Sequence, residues 1–168
     1  PLFALTRQKL IEHSITLVEN RNDILPLKNL QHLKIAAVGL GEEPSVFHEM
    51  LGNYHPVASF HLSNEMDSAH WITLFDSLAH YNLVLLSIHS NELRVTRQFG
   101  VSEDILGFCD KILLTYPAIL TSFTNPYLLS AIHYLKRSQA TIIAYENDTT
   151  SQSMAAQLIF GGIGASGR

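Results

Sequence analysis

Residues 7–40 read RQKLIEHSITLVENRNDILPLKNLQHLKIAAVGL and contain the first helix, turn and strand signals of the chain. Residues 24–27 (ILPL) form a short extended piece, and Ile35–Leu40 is a continuous apolar run. Such a run is typical of a strand that is covered on both faces. A leading helix is predicted from side chains that share one face at helical spacing: Leu10, Ile11, Ser14, Ile15 and Val18.

Strand and helix signals alternate along the rest of the chain. Helical patterns, which include those at Pro44, Trp71, Ser102, Asn125-Pro126 and Ser151, separate the apolar runs. This alternation predicts βαβ units with right-handed crossovers. The predicted fold is therefore α/β, a three-layer α/β/α sandwich with a mostly parallel sheet of five or six strands, flavodoxin-like in general architecture. The remaining strands are predicted at Val57–Leu62, Leu83–Ile88, Ile112–Tyr116 and Thr141–Tyr145.

Length and composition fit a single α/β domain. The 168 residues are 46% hydrophobic and 15% charged, so much of the chain should be interior. Residues 1–30 are the lead-in helix and extended segment, and residues 31–168 are the repeated βα units. The start at Pro1 and the glycine-rich stretch 161–168 lead us to expect a fragment of a longer chain.

Charge and motif content exclude several function classes. The formal net charge is −4 and no Lys/Arg block occurs, which argues against nucleic-acid or membrane-surface binding. No apolar stretch is long enough for a membrane span. The nine histidines form no tight ligand pair, so neither a metal nor another cofactor is predicted. Cys109 is predicted to end a helix beside Asp110, as a small buried hydrophobe rather than a nucleophile.

Both ends of the sequence resemble family 3 glycoside hydrolases. In the second domain of that family, a helix with a Ser and an apolar "LL-N" end leads to "LPL" and then to a strand reading "KIAVIG". Ser14, Leu17, Val18 and Asn20 occupy the helix positions here, followed by residues 25–27 and 34–39. Residues 155–162 (AAQLIFGG) and 165–168 (ASGR) resemble the closing "LFG…SGRLP" stretch of the family.

This resemblance implies a C-terminal α/β domain that packs on an N-terminal TIM-type barrel of the same polypeptide. The barrel supplies the nucleophilic Asp. In the β-glucosidase branch a loop of the second domain supplies the acid/base Glu, whereas in the β-N-acetylglucosaminidase branch a His-Asp pair on a barrel loop does so. The low charge here favours the bacterial form of the second branch. The resemblance further implies a periplasmic or cell-surface location, an additional serine β-lactamase-like domain downstream in some relatives, and no activity of the fragment by itself.

Two residues near the end of the run Leu83–Ile88 are site candidates. Carboxyl ends of parallel strands are where sites tend to form. Glu92 is the carboxylate nearest that end and is the candidate acid/base, with a solvated Glu paired to Arg94 or Arg97 as the alternative. His89 is the candidate substrate contact, with a simply hydrogen-bonded strand-end histidine as the alternative.

Other residues bear on alternative functions. Gly39 to Pro44 (GLGEEP) imitates a dinucleotide-binding turn, but Pro44 replaces the third glycine and Glu42-Glu43 would repel a pyrophosphate. A free-standing flavodoxin-like ligand-binding or signalling module remains the main alternative. A small α/β hydrolase or amidotransferase is disfavoured because no nucleophile elbow with Ser or Cys is present, and Ser166 lacks the G-x-S-x-G pattern.

Overall fold

A six-stranded sheet forms the centre of the computed structural model, which describes residues 2–164. The strands are β1 (Thr16–Asn20), β2 (Ile35–Gly41), β3 (Val57–Leu62), β4 (Leu83–His89), β5 (Ala118–Phe123) and β6 (Ala140–Ile143). The α-helices are α1 (Leu2–Ser14), α2 (Ser45–Tyr54), α3 (Ser68–Ser77), α4 (Glu103–Thr115) and α5 (Thr149–Phe160).

The strand order is β1-β6-β5-β4-β2-β3. Strands β2 to β6 pair in parallel, and β1 pairs antiparallel with β6 at one edge. Strand β3 forms the opposite edge, which fits its alternating rather than continuously apolar sequence. The predicted fold class is confirmed: an α/β sandwich with a mostly parallel sheet, here of six strands.

Two hydrophobic cores explain why the central strands are apolar throughout. Alternate residues of β2 and β4 face opposite sides of the sheet. One core contains Val38 and Leu86 and is covered by α3 and α4. The other contains Ala37 and Leu85 and is covered by α1, α2 and α5. Since both faces are covered, these strands have no solvated face that would favour polar residues.

Capping residues set the helix boundaries near the predicted positions. Ser102 Oγ accepts a hydrogen bond from the backbone N–H of Ile105 at 3.2 Å, so Ser102 is the N-cap of α4, at the position where the sequence predicted a helix. The last helix begins at Thr149 rather than Ser151, because Asp148 Oδ1 caps it by accepting from the Ser151 N–H at 2.7 Å. Gly161 ends α5 at φ 84°, a left-handed conformation that favours glycine.

Several predicted elements were wrong. Ile112–Tyr116 is not a strand; residues 112–115 are the last turn of α4, and the strand of that region is β5. Thr16–Asn20 is strand β1 rather than the end of the leading helix, so Val18 is not helical. The segment after Asn125-Pro126 forms a 3-10 turn over Pro126–Ala131 instead of an α-helix.

Cys109 also differs from its prediction in one respect. It lies within α4 rather than at its end, although it is fully buried as expected. Burial and the neighbouring Asp110 raise the pKa of its thiol, so the thiolate is disfavoured. The closing motif at residues 165–168, which includes Ser166, lies outside the described residues.

Candidate site at the carboxyl edge of the sheet

The loops that follow the parallel strands meet at the carboxyl edge of the sheet. Loops 90–102, after β4, and 144–148, after β6, lie on either side of β5 in the strand order, and the short turn 42–44 follows β2. Both site candidates lie here, with His89 as the last residue of β4 and Glu92 in the loop after it. The sequence and the sheet topology therefore both place the candidate site at this edge.

A hydrogen-bonded group of six residues, which we call the carboxyl-edge network, connects the two loops to β2. A backbone N–H at one end of the network fixes which amide atoms donate and which accept. Phe47 N–H donates to Gln152 Oε1 at 3.0 Å, so the Gln152 amide nitrogen must face Asn147 Oδ1, at 2.9 Å. Asn147 Nδ2 then donates to Glu42 Oε2 at 2.9 Å. The members are Glu42, Ser87, His89, Asn91, Asn147 and Gln152.

The same network fixes the proton of His89. Its Nδ1 lies 2.9 Å from Asn147 Oδ1, and a carbonyl oxygen only accepts, so the Nδ1 atom carries the hydrogen. Its Nε2 lies 2.8 Å from Ser87 Oγ and accepts from that hydroxyl. The ring stacks on Phe123 with a centroid separation of 4.6 Å. The side chain is thus a hydrogen-bonded, neutral histidine.

Burial keeps His89 uncharged at neutral pH. The residue has 0% exposed surface, and burial lowers its pKa to about 3 from 6.5, opposed by the hydrogen bond with Asn147. In this conformation a ligand has no path to the ring. The substrate-contact role of His89 stays a prediction that requires the loops to move.

Glu92 is held by its neighbours as an ionised carboxylate. Arg94 donates to it from Nε at 2.8 Å, from Nη2 at 2.7 Å and from its backbone N–H at 3.0 Å. Arg97 lies 3.8 Å away. The Arg94 hydrogen bonds lower the pKa of Glu92 to about 2. A proton donor in glycoside hydrolysis needs the opposite shift, a pKa raised by burial or a neighbouring charge.

The tight turn after β2 brings Glu42 next to the end of β4 and the loop that follows it. Gly41 has φ 95°, and a Cβ there would lie 2.5 Å from the His89 carbonyl oxygen. The Glu42 N–H donates to that same oxygen at 2.9 Å. Gly39 allows Pro44 to pack against the strand, because a Cβ at Gly39 would meet Pro44 Cγ at 2.3 Å. These two glycines serve backbone packing.

A second buried histidine lies close to the network. His48, in α2, is 8% exposed, and its Nε2 has no hydrogen-bond partner among the described residues. Burial, with a smaller effect of His61, lowers its pKa to about 4. Residues 2–164 contain no group of His, Cys, Asp and Glu side chains suited to a metal ion. Nor does this part of the chain contain a helix long and apolar enough to cross a membrane.

Sequence reasoning missed most of the carboxyl-edge network. Glu42 was considered only as a group that repels phosphate, and Asn91, Asn147 and Gln152 were not singled out. Asn91 and Asn147 both lie just beyond strand ends, and that position is the signal that points to them. Gln152 lies in the first turn of α5 and gives no comparable signal.

Comparison with solved structures identifies the fold. A β-N-acetylglucosaminidase of glycoside hydrolase family 3 from Paenibacillus sp. matches 96% of this chain with a TM-score of 0.75 and 14% identity. A fungal multi-domain family 3 β-N-acetylglucosaminidase matches 98% with a TM-score of 0.71 and 20% identity. A β-glucosidase from Listeria innocua matches 92% with a TM-score of 0.69 and 18% identity.

The fold is one that occurs in family 3 glycoside hydrolases. This confirms, for the fold, the resemblance that the two ends of the sequence suggested. The chain spans 31%, 18% and 25% of the length of these three proteins, so it corresponds to one part of each. No protein-family model and no curated protein sequence matches the chain.

Proposed function

We propose that this chain is the C-terminal domain of a family 3 glycoside hydrolase of the β-N-acetylglucosaminidase type. The observation that supports this most directly is the match of at least 96% of the chain to part of two such enzymes. The parent enzyme would cleave terminal β-linked sugars. The domain would pack on an N-terminal TIM-type barrel and complete the glycan site that the barrel begins.

The state of Glu92 supports the aminosugar branch over the β-glucosidase branch. A domain that supplied the acid/base would need a carboxyl group that is protonated near neutral pH. The arginine contacts of Glu92 favour its ionised form. We therefore propose that the barrel supplies the proton donor. The chain described here would shape the glycan site and form hydrogen bonds there.

A substitution in the parent enzyme tests this assignment. Glu92→Gln should lower kcat/KM on a chromogenic β-N-acetylglucosaminide by less than about ten-fold, whereas loss of a general acid costs about 10²–10⁴-fold. Glu43→Gln, which removes a 69% exposed carboxylate from the turn after β2, is the matched control. A loss of 10² or more that azide restores would assign the acid/base to Glu92 and the enzyme to the other branch.

The flanking coding sequence tests the domain arrangement. An upstream TIM-type barrel with a His-Asp loop is expected, and a downstream serine β-lactamase-like domain and a periplasmic or cell-surface address belong to the same proposal. The 168-residue chain alone should show no turnover of β-glucosaminide or β-glucoside. Turnover by the purified chain, or a gene without any barrel, would refute the proposed function.

A further inference from the structure

The two loops flanking the candidate site adopt backbone conformations that need support. In loop 90–102, Gln98 and Phe99 have φ of 48° and 53°. In loop 144–148, Tyr145 has φ 64°, and the N–H of Glu146 bonds to the Ala144 carbonyl across it at 2.8 Å. Positive φ at residues other than glycine costs free energy and persists only where surrounding contacts enforce it.

One carboxylate contacts both loops. Glu42 Oε1 accepts from the backbone N–H of Asn91 at 2.8 Å, and Oε2 accepts from Asn91 Nδ2 at 2.7 Å and from Asn147 Nδ2 at 2.9 Å. Hydrogen bonds to an ionised group are about twice as strong as neutral ones. The backbone of Glu42 is itself fixed by its bond to the His89 carbonyl.

We propose that Glu42 is a positioning residue that holds loops 90–102 and 144–148 in the conformation of the glycan-facing surface. The role for the glycan rests on the proposed function. The bridging role stands on the contacts alone, since the carboxylate of Glu42 spans from β2 to loops on two other strands. Neighbouring Glu43 has a different environment, since its carboxylate contacts His61 Nδ1 at 3.2 Å and neither loop residue.

The orientation of Asn147 gives the proposal a spectroscopic signature. With Glu42 as acceptor, the amide nitrogen of Asn147 is turned to the carboxylate and its oxygen to His89 Nδ1. If a substitution removes the charge of Glu42, Gln152 still holds the Asn147 oxygen towards His89, but the Asn147 Nδ2–H loses its ionised acceptor. The side-chain amide ¹H shift of Asn147 should then move upfield, while the ¹⁵N shifts of the His89 ring stay unchanged.

The first experiment uses the 168-residue chain with Glu42→Gln and the matched control Glu43→Gln. Glu42→Gln replaces one of the two acceptor oxygens by an NH₂ group, which cannot accept, and removes the charge that strengthens the remaining bonds, so amide hydrogen exchange in residues 91–100 and 144–148 should rise about ten-fold or more. The side-chain amide shift of Asn147 should change with it. Glu43→Gln should leave both readouts as in the wild type. Unchanged exchange and an unchanged Asn147 amide shift in Glu42→Gln would overturn the proposal.

A second variant keeps the test decisive if Glu42→Gln does not fold. Asn91→Ala removes one of the bonds to Glu42 from loop 90–102 and none from loop 144–148. Exchange should therefore rise in residues 91–100 alone, with the Asn147 amide shift unchanged. Equal loosening of both loops, or of neither, would contradict a bridge centred on Glu42.

The parent enzyme tests the consequence for the glycan. Glu42→Gln should raise KM about five-fold or more with kcat within about two-fold, because the loops bind sugar while the reacting groups lie elsewhere. Glu42→Asp, which keeps the charge, should recover part of the loss. Loosened loops with unchanged KM would overturn the glycan-positioning role. A parent that hydrolyses no glycoside would instead refute the proposed function and leave the hydrogen-exchange result standing.

Discussion

His48 and His89 make the folded state sensitive to acid. Their pKa values are about 4 and about 3 in the folded chain, below the ordinary 6.5, chiefly because both rings are buried. Above pH 6.5 both rings are neutral in the folded and unfolded states and contribute no pH dependence. Below it the unfolded chain binds protons that the folded chain does not, so stability falls until the folded pKa values are reached.

The pH dependence of unfolding should therefore be steep between pH 6.5 and 4. Each histidine contributes up to about 1.4 kcal/mol per pH unit in that window. His48→Leu should remove its share of the slope and leave stability at pH 7 unchanged or raised by about 1 kcal/mol, because Nε2 has no partner. Urea unfolding at a series of pH values measures this.

The exposed residue His80 provides the control for that series. His80→Leu makes the same chemical change without removing a buried ring. A slope in His48→Leu equal to that of the wild type would show that the acid sensitivity in this window arises elsewhere, for example in His89.

At the scale of elements, hydrophobic runs alone could not separate a strand from a helix end. The run Ile112–Tyr116 was predicted as a strand, yet its buried positions continue the helical spacing that begins at Ile105. The true strand Ala118–Phe123 contains two buried hydroxyl residues and was missed. Strand β1 was missed because its pairing with β6 is a long-range contact that a local pattern does not record.

The turn after β2 should tolerate no side chain at Gly41. Gly41→Ala places a Cβ 2.5 Å from the His89 carbonyl oxygen at φ 95°, so both sterics and backbone preference oppose it. We expect a loss of about 2 kcal/mol or more in the free energy of unfolding. Gly52→Ala, where the added Cβ would meet nothing within 4 Å, is the control. An unaffected Gly41→Ala protein would contradict the geometry of this turn.

Helix α4 should gain stability from the same substitution, glycine to alanine, at a different position. Gly107 lies in its middle, and a Cβ there would meet nothing within 4 Å. Glycine in a helix interior costs about 1 kcal/mol relative to alanine. Gly107→Ala should therefore raise the free energy of unfolding by about 0.5–1 kcal/mol in a denaturant titration. A loss instead would mean that α4 is less regular than described.

For the molecule as a whole, the alternation of strands and helices predicted the architecture, because each unit buries its apolar side against the same sheet. The carboxyl edge was also predicted as the location of the candidate site, since parallel strands end together there. The identity of the bridging side chains was not predictable. Glu42, Asn91 and Asn147 are far apart in sequence, and only the strand order brings them together.

The lead-in segment should divide into a dispensable part and an essential part. Within α1, Ile11 is buried while Leu2 and Phe3 are 79% and 83% exposed, and Arg7 makes an exposed ion pair with Asp148. Exposed ion pairs contribute at most about 1 kcal/mol. Deletion of residues 1–9 should therefore change the free energy of unfolding of the 168-residue chain by less than about 1 kcal/mol.

Deletion of residues 1–20 should have a much larger effect. It removes fully buried Ile15 and the whole of β1, and with Asn20 it removes two side-chain bonds to the backbone of Leu25. It also leaves β6 as an unpaired edge, and such edges promote association between chains. We expect the shorter chain to unfold at lower urea and to form oligomers in light scattering. A monomer with wild-type stability would show that the antiparallel strand is an addition to a sheet that is already complete, and that the fold needs only the five parallel strands.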